Sequence, residues 1–353
     1  MLESQITETV RRIDSKRGLR AHEKEAWKRS LRQLDQAKLP ILLDLHDFSN
    51  YIPYEAKEIA SILNATDHYY RGFDIPKRSG GYRKILAPFP SLSIIQKWIA
   101  SSIFSNVEIH RSAIAYKNNS SIKDHVEPHL NNPTLLKIDI RNFFPSISIQ
   151  RVGQEFLELG YTSRMSYALS GLLTLHGCVP QGAPSSPLIS NIVLRKIDSE
   201  IETICNTEGI NYTRYADDFA FSGKKIPASF IAQVSAILSL DGFEVNYKKT
   251  RQYEAEEKTR FLTGLVLTPD RIRPPKNFRR WVVQRIYYLE KYIETDLSGL
   301  SKASGNSEIL NNVFLLESLR GKLGYWNWVD PFDKTAVDCL GKLNAIESKL
   351  MQI

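Results

Sequence analysis

Cysteine is scarce in this sequence, and it has neither a long apolar run nor an export signal. Cys178, Cys205 and Cys339 are far apart, so they form no CxxC pair and no even set for disulfides. No apolar stretch is long enough to cross a bilayer, and residues 1–20 contain no apolar signal-peptide core. We therefore expect reduced thiols in a cytoplasmic protein that has no membrane partner.

Positive charge, in contrast, is in excess. Lys and Arg total 47 against 39 Asp and Glu, which gives a net charge of +8. This balance suits a polyanionic partner such as nucleic acid, but an anionic membrane or no special partner would also fit it. The hydrophobic content of 42% is ordinary for a globular protein, and 353 residues suffice for one large unit or for two to three interlocked subdomains.

The first part of the chain contains a predicted helical segment followed by a predicted β-hairpin. Residues 1–39 alternate basic and acidic side chains and predict a charged helix that Pro40 ends. This segment could be a solvated helical hairpin on the surface or an arm that docks RNA or a partner. Residues 69–88 predict a β-hairpin with a flexible tip at Ser79-Gly80-Gly81. Four cations flank this tip: Lys77, Arg78, Arg83 and Lys84.

Two later segments predict strands that carry carboxylates at their ends. TLLKIDI (134–140) predicts a short buried strand, with Asp139 near its end. YTRYADDFAFSG (212–223) predicts a hairpin joined at Asp217-Asp218. Helical segments lie between the strands, and the chain is helical from Pro275 apart from a connecting loop at 297–306. This order predicts an α+β fold around one sheet.

The carboxylates are the residues that point to chemistry. Transfer of a phosphoryl group requires stabilisation of the attacking oxygen and of the departing phosphate, and two Mg²⁺ ions can do both. Mg²⁺ prefers hard oxygen ligands, usually a few carboxylates together with phosphates and water. Asp139 and the Asp217-Asp218 pair meet that need if their strands are neighbours. By itself an Asp-Asp pair is common in turns, so the interpretation depends on the surrounding motifs.

The order of these motifs resembles that of the reverse transcriptase family, and within it most closely that of the bacterial retron-type enzymes. The similarity runs from about Ile75 to Asn327 and rests on the segments IPKRSGGYRKILAP, LLKIDIRNFFPSI, VPQGAPSSPLISNIVL, YTRYADDFAFSG, VNYKKT and FLTGLVL. The resemblance implies an α+β right-hand polymerase fold of fingers, palm and thumb, with an antiparallel palm sheet and a helical thumb. The implied domains are an N-terminal helical extension (1–45), fingers (46–133), palm with interleaved fingers elements (134–272) and thumb (273–353).

The resemblance also implies a role for individual residues. Asp139, Asp217 and Asp218 match the catalytic carboxylates that bind two Mg²⁺ ions, for which Mn²⁺ can substitute. Lys77 and Arg83 match residues that clamp the triphosphate, which suits a point charge and a bidentate donor. The remaining nucleotide-binding positions are Phe144 beneath the sugar, where it would exclude a 2′-hydroxyl, Gln181 and Gly182 beside the incoming nucleotide, and Lys249 near the pyrophosphate. A basic surface hairpin, a core Phe144 and a surface Lys249 are the ordinary alternatives.

Contacts with nucleic acid are expected at a further set of residues. The Asn-Ala-x-x-His element of retron enzymes is present as His125-Val126-Glu127-Pro128-His129, which keeps only the last residue, and the Val-Thr-Gly element as Leu262-Thr263-Gly264. Zinc binding by the two histidines is disfavoured, because Pro128 interrupts the helix and no further ligand is near. The expected contacts are His129, Thr263, Gly264, Arg279, Arg280, Arg285 and Trp326. The arginines could instead form a solvated helix face, and Trp326 could anchor a core.

The function that the resemblance implies is RNA-directed DNA synthesis of the retron type. The partners would be dNTPs, a structured non-coding RNA, the DNA product branched to it as an RNA–DNA hybrid, and an effector protein encoded nearby in antiphage defence. A group II intron-like or unattached defence polymerase is an alternative, although 353 residues leave little room for the added domains of intron proteins. A non-catalytic RNA-binding scaffold is a further alternative, but all three carboxylates are retained.

Overall fold

The computed structural model describes residues 3–77, 80–296 and 306–350. Arg78 and Ser79 of the predicted hairpin tip and residues 297–305 of the predicted loop lie outside the described residues. The helices are α1 (Glu3–Arg17), α2 (Ala21–Gln36), α3 (Leu45–Ser49), α4 (Ala56–Asn64), α5 (Pro90–Ser102), α6 (Ile122–Val126), α7 (Ile149–Leu159), α8 (Ser163–Leu173), α9 (Ser186–Glu208), α10 (Phe230–Leu240), α11 (Lys276–Asp296), α12 (Asn306–Val329) and α13 (Lys334–Leu350). The strands are β1 (Tyr70–Pro76), β2 (Tyr82–Pro88), β3 (Thr134–Asp139), β4 (Asn211–Tyr215), β5 (Asp218–Gly223), β6 (Arg251–Tyr253), β7 (Arg260–Leu262), β8 (Leu265–Leu267) and β9 (Ile272–Arg273). No helix in these ranges is long and apolar enough to span a membrane.

The charged N-terminal segment forms two helices that pack together, which corresponds to the helical hairpin among the two alternatives. α1 and α2 are separated at Gly18, whose φ of +64° is a left-handed conformation that glycine adopts without steric cost. α2 ends at Gln36, before Pro40. The two helices pack around a small apolar core of Ile6, Val10, Ile13, Leu31 and Leu43. The charged residues of α1 and α2 therefore surround a small apolar core.

The central sheet is antiparallel and has the strand order β4-β5-β3-β6. Successive residues of a strand point to opposite faces. Leu136 and Ile138 of β3 accordingly lie in the large core, together with apolar residues of α9 and α10. Leu135 of β3 and Ala220 of β5 lie on the other face, in a second cluster with residues of β7 and β8. The sheet is thus covered on both sides, which explains the almost continuous apolar run in β3.

The hairpin of β1 and β2 forms where the sequence predicted it, with strands of 7 residues each. Its register runs from Tyr70 opposite Pro88 to Pro76 opposite Tyr82. The base of the hairpin is attached to the body of the molecule, because the amide of Leu86 donates to the carbonyl of Gln181 at 2.8 Å. The side chains toward its tip are exposed.

The C-terminal helices form a separate core next to a small three-stranded sheet. α11, α12 and α13 pack around Val282, Leu319, Leu323, Trp326 and Leu343, among others. The small sheet has the order β7-β8-β9, whereas the sequence predicted only a hairpin there. Val329, at the end of α12, leaves the helical core and packs into the cluster beneath the central sheet. The helices are therefore joined to the sheet by buried contacts as well as by the chain.

Candidate active site

Three carboxylates meet at one end of the central sheet. The antiparallel register of β3 and β5 places Asp139 directly opposite Asp218. Asp217 lies in the tight turn between β4 and β5, and its carbonyl accepts from the amide of Ile140 at 3.2 Å. Ala216 precedes it with a φ of +58°, which is unusual for a residue with a Cβ. The sequence predicted this meeting from the order of the surrounding motifs and not from the strand ends alone.

Asp139 is held by the segment that follows α10. Its Oδ1 accepts from the side-chain amide of Asn246 at 3.0 Å, and its Oδ2 accepts from the ammonium of Lys249 at 2.9 Å. The amide of Lys249 donates to the carbonyl of Asn246 at 2.9 Å, so a turn returns the lysine to the carboxylate. Residues 243–247 reach the sheet through an isolated bridge between Ile140 and Val245.

Crowding of negative charge makes this end of the sheet receptive to cations. Burial and the nearby charges of Asp218 and Asp139 raise the pKa of Asp217 to about 6. Burial also raises the pKa of Asp218, although the charge of Lys137 opposes the shift. A hydroxyl donor reaches Asp218 as well, since Oγ1 of Thr263 lies 3.4 Å from its Oδ2. The charged forms are disfavoured in isolation, so a divalent cation would relieve the repulsion.

The donor set suits a hard divalent ion, but the side chains do not converge into a cage. Across residues 3–77, 80–296 and 306–350, no three or more His, Cys, Asp or Glu side chains are arranged to hold a metal. At this site both oxygens of Asp139 are engaged by Asn246 and Lys249. The carboxylate oxygens at this edge of the sheet, with raised pKa values at Asp217 and Asp218, still fit Mg²⁺ chemically. Binding there would require Lys249 to yield its place on Asp139.

The basic hairpin and the Pro-Gln-Gly loop lie against each other. Gly182 has a φ of +121°, and a Cβ at this position would meet Cγ2 of Ile85 at 2.6 Å and the carbonyl oxygen of Leu86 at 3.0 Å. Only glycine therefore permits the loop to approach β2 so closely. Lys77 and Arg83 lie beyond this contact with exposed side chains, and Gln181 accepts the bond from Leu86.

The two phenylalanines after Asp139 have different surroundings. Phe143 is buried and packs against Phe243, with ring centres 6.3 Å apart. Phe144 begins a 3₁₀ turn and is only half-buried, with its ring 5.2 Å from that of Phe143. Phe143 is thus a core residue, whereas the ring of Phe144 is partly exposed to solvent.

Tyr116 is a site residue that the sequence did not indicate. Its φ is +63°, an uncommon conformation for an aromatic residue. Burial and the charge of Asp217 raise the pKa of its phenol, while the charge of Arg83 opposes the shift. The phenol of Tyr116 is therefore close enough to both Asp217 and Arg83 to be affected by their charges. The only signal in the sequence was a polar loop, which is no guide to the distance from Asp217.

His129 does not have the surface that a nucleic-acid contact requires. It is completely buried, with Nδ1 2.6 Å from Oγ of Ser222 and Nε2 2.7 Å from Oγ1 of Thr213. Burial, together with the charge of Arg260, lowers the pKa of His129 to about 3. The ring is a neutral cross-link between β4 and β5, and the expected direct contact with RNA is wrong for this structure. His125 is buried as well and bonds Thr213 at 2.8 Å.

Thr263 and Gly264 form the turn between β7 and β8. Both have positive φ values, +44° and +83°, as a two-residue hairpin turn requires. A β-branched residue rarely adopts this conformation. The turn brings the hydroxyl of Thr263 to Asp218. The element expected to contact nucleic acid therefore touches the carboxylate site itself.

The residues expected on the C-terminal helices divide into two groups. Trp326 is 1% exposed and donates from Nε1 to Asp333 at 3.2 Å, so the expectation that it contacts nucleic acid is wrong for this structure. Arg279 lies over the Trp326 ring and donates to the carbonyl of Pro274 at 3.1 Å, which makes it part of the same packing. Arg280 and Arg285 are exposed, and the guanidinium of Arg285 lies 5.6 Å from the centre of the Trp281 ring.

Comparison with known proteins shows what the chain is similar to. The family model described as reverse transcriptase (RNA-dependent DNA polymerase) matches residues 75–266. The retron Ec86 reverse transcriptase of Escherichia coli is 29% identical over 66% of this chain and 74% of its own length. The retron Mx65 enzyme of Myxococcus xanthus is 34% identical over 52% of this chain and 48% of its own length. The retron Mx162 enzyme of the same organism is 29% identical over 80% and 62%.

Solved structures also match. The telomerase of Candida albicans in complex with a fragment of telomeric RNA is 12% identical, with a TM-score of 0.45, over 78% of this chain and 63% of that one. The apo telomerase of Candida tropicalis is likewise 12% identical, with a TM-score of 0.42, over 79% and 65%.

Proposed function

The chain belongs to the reverse transcriptase family, which has the right-hand polymerase fold, and on that premise we propose that it is an RNA-directed DNA polymerase of the retron type. The family predicted from the motifs is confirmed, since the family model covers more than half of the 353 residues. The observation that carries the proposed activity is the register of Asp139 with Asp218, beside the turn that holds Asp217.

The domains follow the proposed fold. The antiparallel sheet β4-β5-β3-β6 serves as the palm, within residues 134–272. The β1–β2 hairpin belongs to the fingers, residues 46–133, and the bundle of α11, α12 and α13 is the thumb, residues 273–353. Residues 1–45, with α1 and α2, are the N-terminal extension. The separate apolar core of the C-terminal helices supports the last boundary.

The carboxylates carry the chemistry of the proposed site. Asp139, Asp217 and Asp218 would hold two Mg²⁺ or Mn²⁺ ions, which supply charge stabilisation for the attacking oxygen and the departing pyrophosphate. Lys77 and Arg83, exposed on the hairpin, bind the triphosphate of a dNTP. Gln181 and Gly182 fix the hairpin against the palm and border the nucleotide. Lys249, displaced from Asp139, is available to the pyrophosphate.

The retron assignment concerns the nucleic acid that the enzyme uses. We infer that the template is a structured non-coding RNA and that the short DNA product stays branched to it. An effector protein encoded nearby would complete an antiphage system. Similarity to several curated retron enzymes supports this assignment. The exposed Arg280 and Arg285 beside Trp281 suit the phosphates and sugars of an A-form hybrid.

Primer extension on an RNA template tests the activity. The wild-type chain should incorporate dNTPs in Mg²⁺, and Asp217→Asn and Asp218→Asn should each abolish the product. Asp270→Asn is a matched control, because this carboxylate is exposed in the β8–β9 connection. Continued synthesis by either site variant would rule out the assigned ligands.

The retron type is tested with the DNA that flanks the gene. Expression of the chain with its upstream region should yield a single-stranded DNA that is branched to RNA. RNase should shorten this molecule by digesting the RNA, but residual ribonucleotides should stay attached to the DNA at the branch. A product without RNA attached, or no product although primer extension succeeds, would favour an intron-like or unattached polymerase.

A further inference from the structure

A fully buried ion pair lies beneath the turn that carries Asp217. Arg214 of β4 and Asp198 of α9 are both completely buried. The guanidinium binds the carboxylate through two bonds, Nε to Oδ1 at 2.8 Å and Nη2 to Oδ2 at 2.6 Å. Arg214 points into the large core, on the face of β4 opposite to Thr213, which joins His129. No step of the proposed chemistry uses this pair.

The remaining donors of Arg214 go to the backbone and to a second buried side chain. Nη1 donates to the carbonyl of Ala216 at 3.1 Å and to Oδ1 of Asn191 at 3.1 Å. The Ala216 carbonyl belongs to the peptide group that links Ala216 to Asp217. Fixing this oxygen therefore fixes the peptide plane from which Asp217 starts, in a turn whose φ of +58° is not favoured by alanine itself.

Asn191 carries the same restraint to a second segment. Its Nδ2 donates to the carbonyl of Ala115 at 2.7 Å, and this carbonyl belongs to the peptide group before Tyr116. The backbone of Arg214 supports the arrangement, since it exchanges bonds with the amide of Ile114 at 2.8 Å and the carbonyl of Ser112 at 2.7 Å. Ala216 and Tyr116, both with positive φ, are thus tied to one guanidinium, the second of them through Asn191.

Stability alone does not account for such a pair. Replacing a buried ion pair by apolar residues is often neutral or stabilising, because the charges lose their hydration. The geometry is specific instead: a planar guanidinium can hold a carboxylate with two bonds and still direct a third donor to the Ala216 carbonyl. A lysine ammonium has no such fixed directions.

We propose that Arg214 is a positioning residue for the active site. Together with Asp198 and Asn191, it orients the peptide groups that precede Asp217 and Tyr116. This orientation sets the position of the Asp217 carboxylate relative to those of Asp139 and Asp218. The proposal rests on the polymerase function proposed above. It assigns no contact between Arg214 and substrate.

Arg214→Lys tests the proposal, with Tyr212→Phe as the matched control. Tyr212 lies on the same strand and donates its hydroxyl to the same Oδ1 of Asp198 at 2.7 Å, but it has no bond to the turn. Arg214→Lys should reduce kcat about 10- to 100-fold, the effect of a small misplacement of a reacting group. The KM for dNTP should stay unchanged and the Mg²⁺ concentration for half-maximal rate should rise. Tyr212→Phe should lower the melting temperature while kcat and the Mg²⁺ dependence stay those of wild type.

A second variant and a binding measurement keep the outcome decisive. Asn191→Ser retains the Arg214–Asp198 pair and should show the same pattern if Arg214→Lys does not fold. Mn²⁺ titration followed by electron paramagnetic resonance should give weaker binding in both variants but not in Tyr212→Phe. The proposal would be overturned if folded Arg214→Lys and Asn191→Ser kept the kcat and the metal affinity of wild type. It would also be overturned if Tyr212→Phe lost as much kcat and metal affinity as those two variants. An inactive wild type that binds Mn²⁺ would count against the polymerase function, and the titration would still decide the role of Arg214.

Discussion

The ammonium nitrogen of Lys249 lies 2.9 Å from Oδ2 of Asp139, the position that a metal ion would need. The lysine side chain is 60% exposed, whereas that of Asp139 is 10% exposed. The lysine can therefore leave toward solvent while the carboxylate stays in place. A residue proposed to act at the pyrophosphate thus competes with the cation for a ligand before substrate is present.

Removing this competitor should separate metal affinity from rate. Lys249→Gln should lower the half-saturating Mg²⁺ concentration about twofold to fivefold, the range expected for an exposed ion pair. The rate of dNTP incorporation should fall about 100-fold or more if the lysine assists the departing pyrophosphate. Titrations of primer extension with Mg²⁺ measure both quantities. Lys248→Gln, the exposed neighbour, is the control. A half-saturating Mg²⁺ concentration in Lys249→Gln that equals or exceeds that of wild type would contradict the competition.

The contact of Gly182 with β2 should control nucleotide binding. In Gly182→Ala the new Cβ would meet Ile85 and the backbone of Leu86, so the hairpin with Lys77 and Arg83 must shift. We expect the KM for dNTP to rise roughly tenfold, the effect of losing about 1.4 kcal/mol of binding. Gly177→Ala is a close control, because its φ of +80° gives similar backbone strain with nothing within 4 Å of the added Cβ. Equal KM values in the two variants would argue against the contact.

The half-buried Phe144 should select the sugar of the nucleotide. Phe144→Ala should raise incorporation of ribonucleotides relative to deoxynucleotides about tenfold, because the steric obstacle to a 2′-hydroxyl is removed. Competition between dNTP and rNTP in primer extension measures the ratio. Phe143→Leu changes the adjacent buried ring, so it should lower stability and leave the ratio alone. An unchanged ratio in Phe144→Ala would refute the gate.

The buried histidine should make folding sensitive to acid. The pKa of His129 is about 3 in the folded chain, against about 6.5 in an unfolded one, so below pH 6.5 the unfolded state binds the proton first. Stability is thus lost as the pH falls from 6.5 toward 3, at up to about 1.4 kcal/mol per pH unit. Burial lowers the pKa of His125 in the same direction.

His129→Gln should reduce this slope when the free energy of unfolding in urea is measured between pH 7 and pH 5. His68→Gln is the control, because that imidazole is exposed and its loss should leave the slope as in wild type. A slope in His129→Gln equal to that of wild type would show that other groups cause the acid sensitivity.

Local patterns were sufficient to predict the central features of the fold. The apolar run at 134–140 correctly predicted strand β3, and the β-prone residues on both sides of Asp217-Asp218 correctly predicted strands β4 and β5. The glycines at the tip correctly predicted the β1–β2 hairpin. The confirmed family then supplied the right-hand fold, because the order of motifs is more specific than any one of them.

The parts that sequence did not predict depend on contacts far apart in the chain. His129 and Trp326 have polar groups, and only tertiary packing shows that these groups are satisfied inside the protein by Thr213, Ser222 and Asp333. Tyr116 reaches the site through a strained turn that no local pattern encodes. Arg214 lies in β4 among polar and aromatic residues (NYTRY), so the local sequence does not show that its charge is buried. Its partners lie on another element and could not be read from spacing.

The packing of Val329 beneath the sheet has a consequence for biosynthesis. Its side chain shares a cluster with Leu135 and Ala220, on the face that also carries Asp139 and Asp218, and the ammonium of Lys123 donates to the carbonyl of Trp328 at 3.3 Å. On the ribosome, β3, β5, β7 and β8 all emerge before residue 329, so Val329 is added to a cluster that residues of β7 and β8 have already begun to cover. The central sheet can therefore pair before the C-terminal helices exist, and the contact of Val329 with this face of the sheet forms only once α12 has been synthesised.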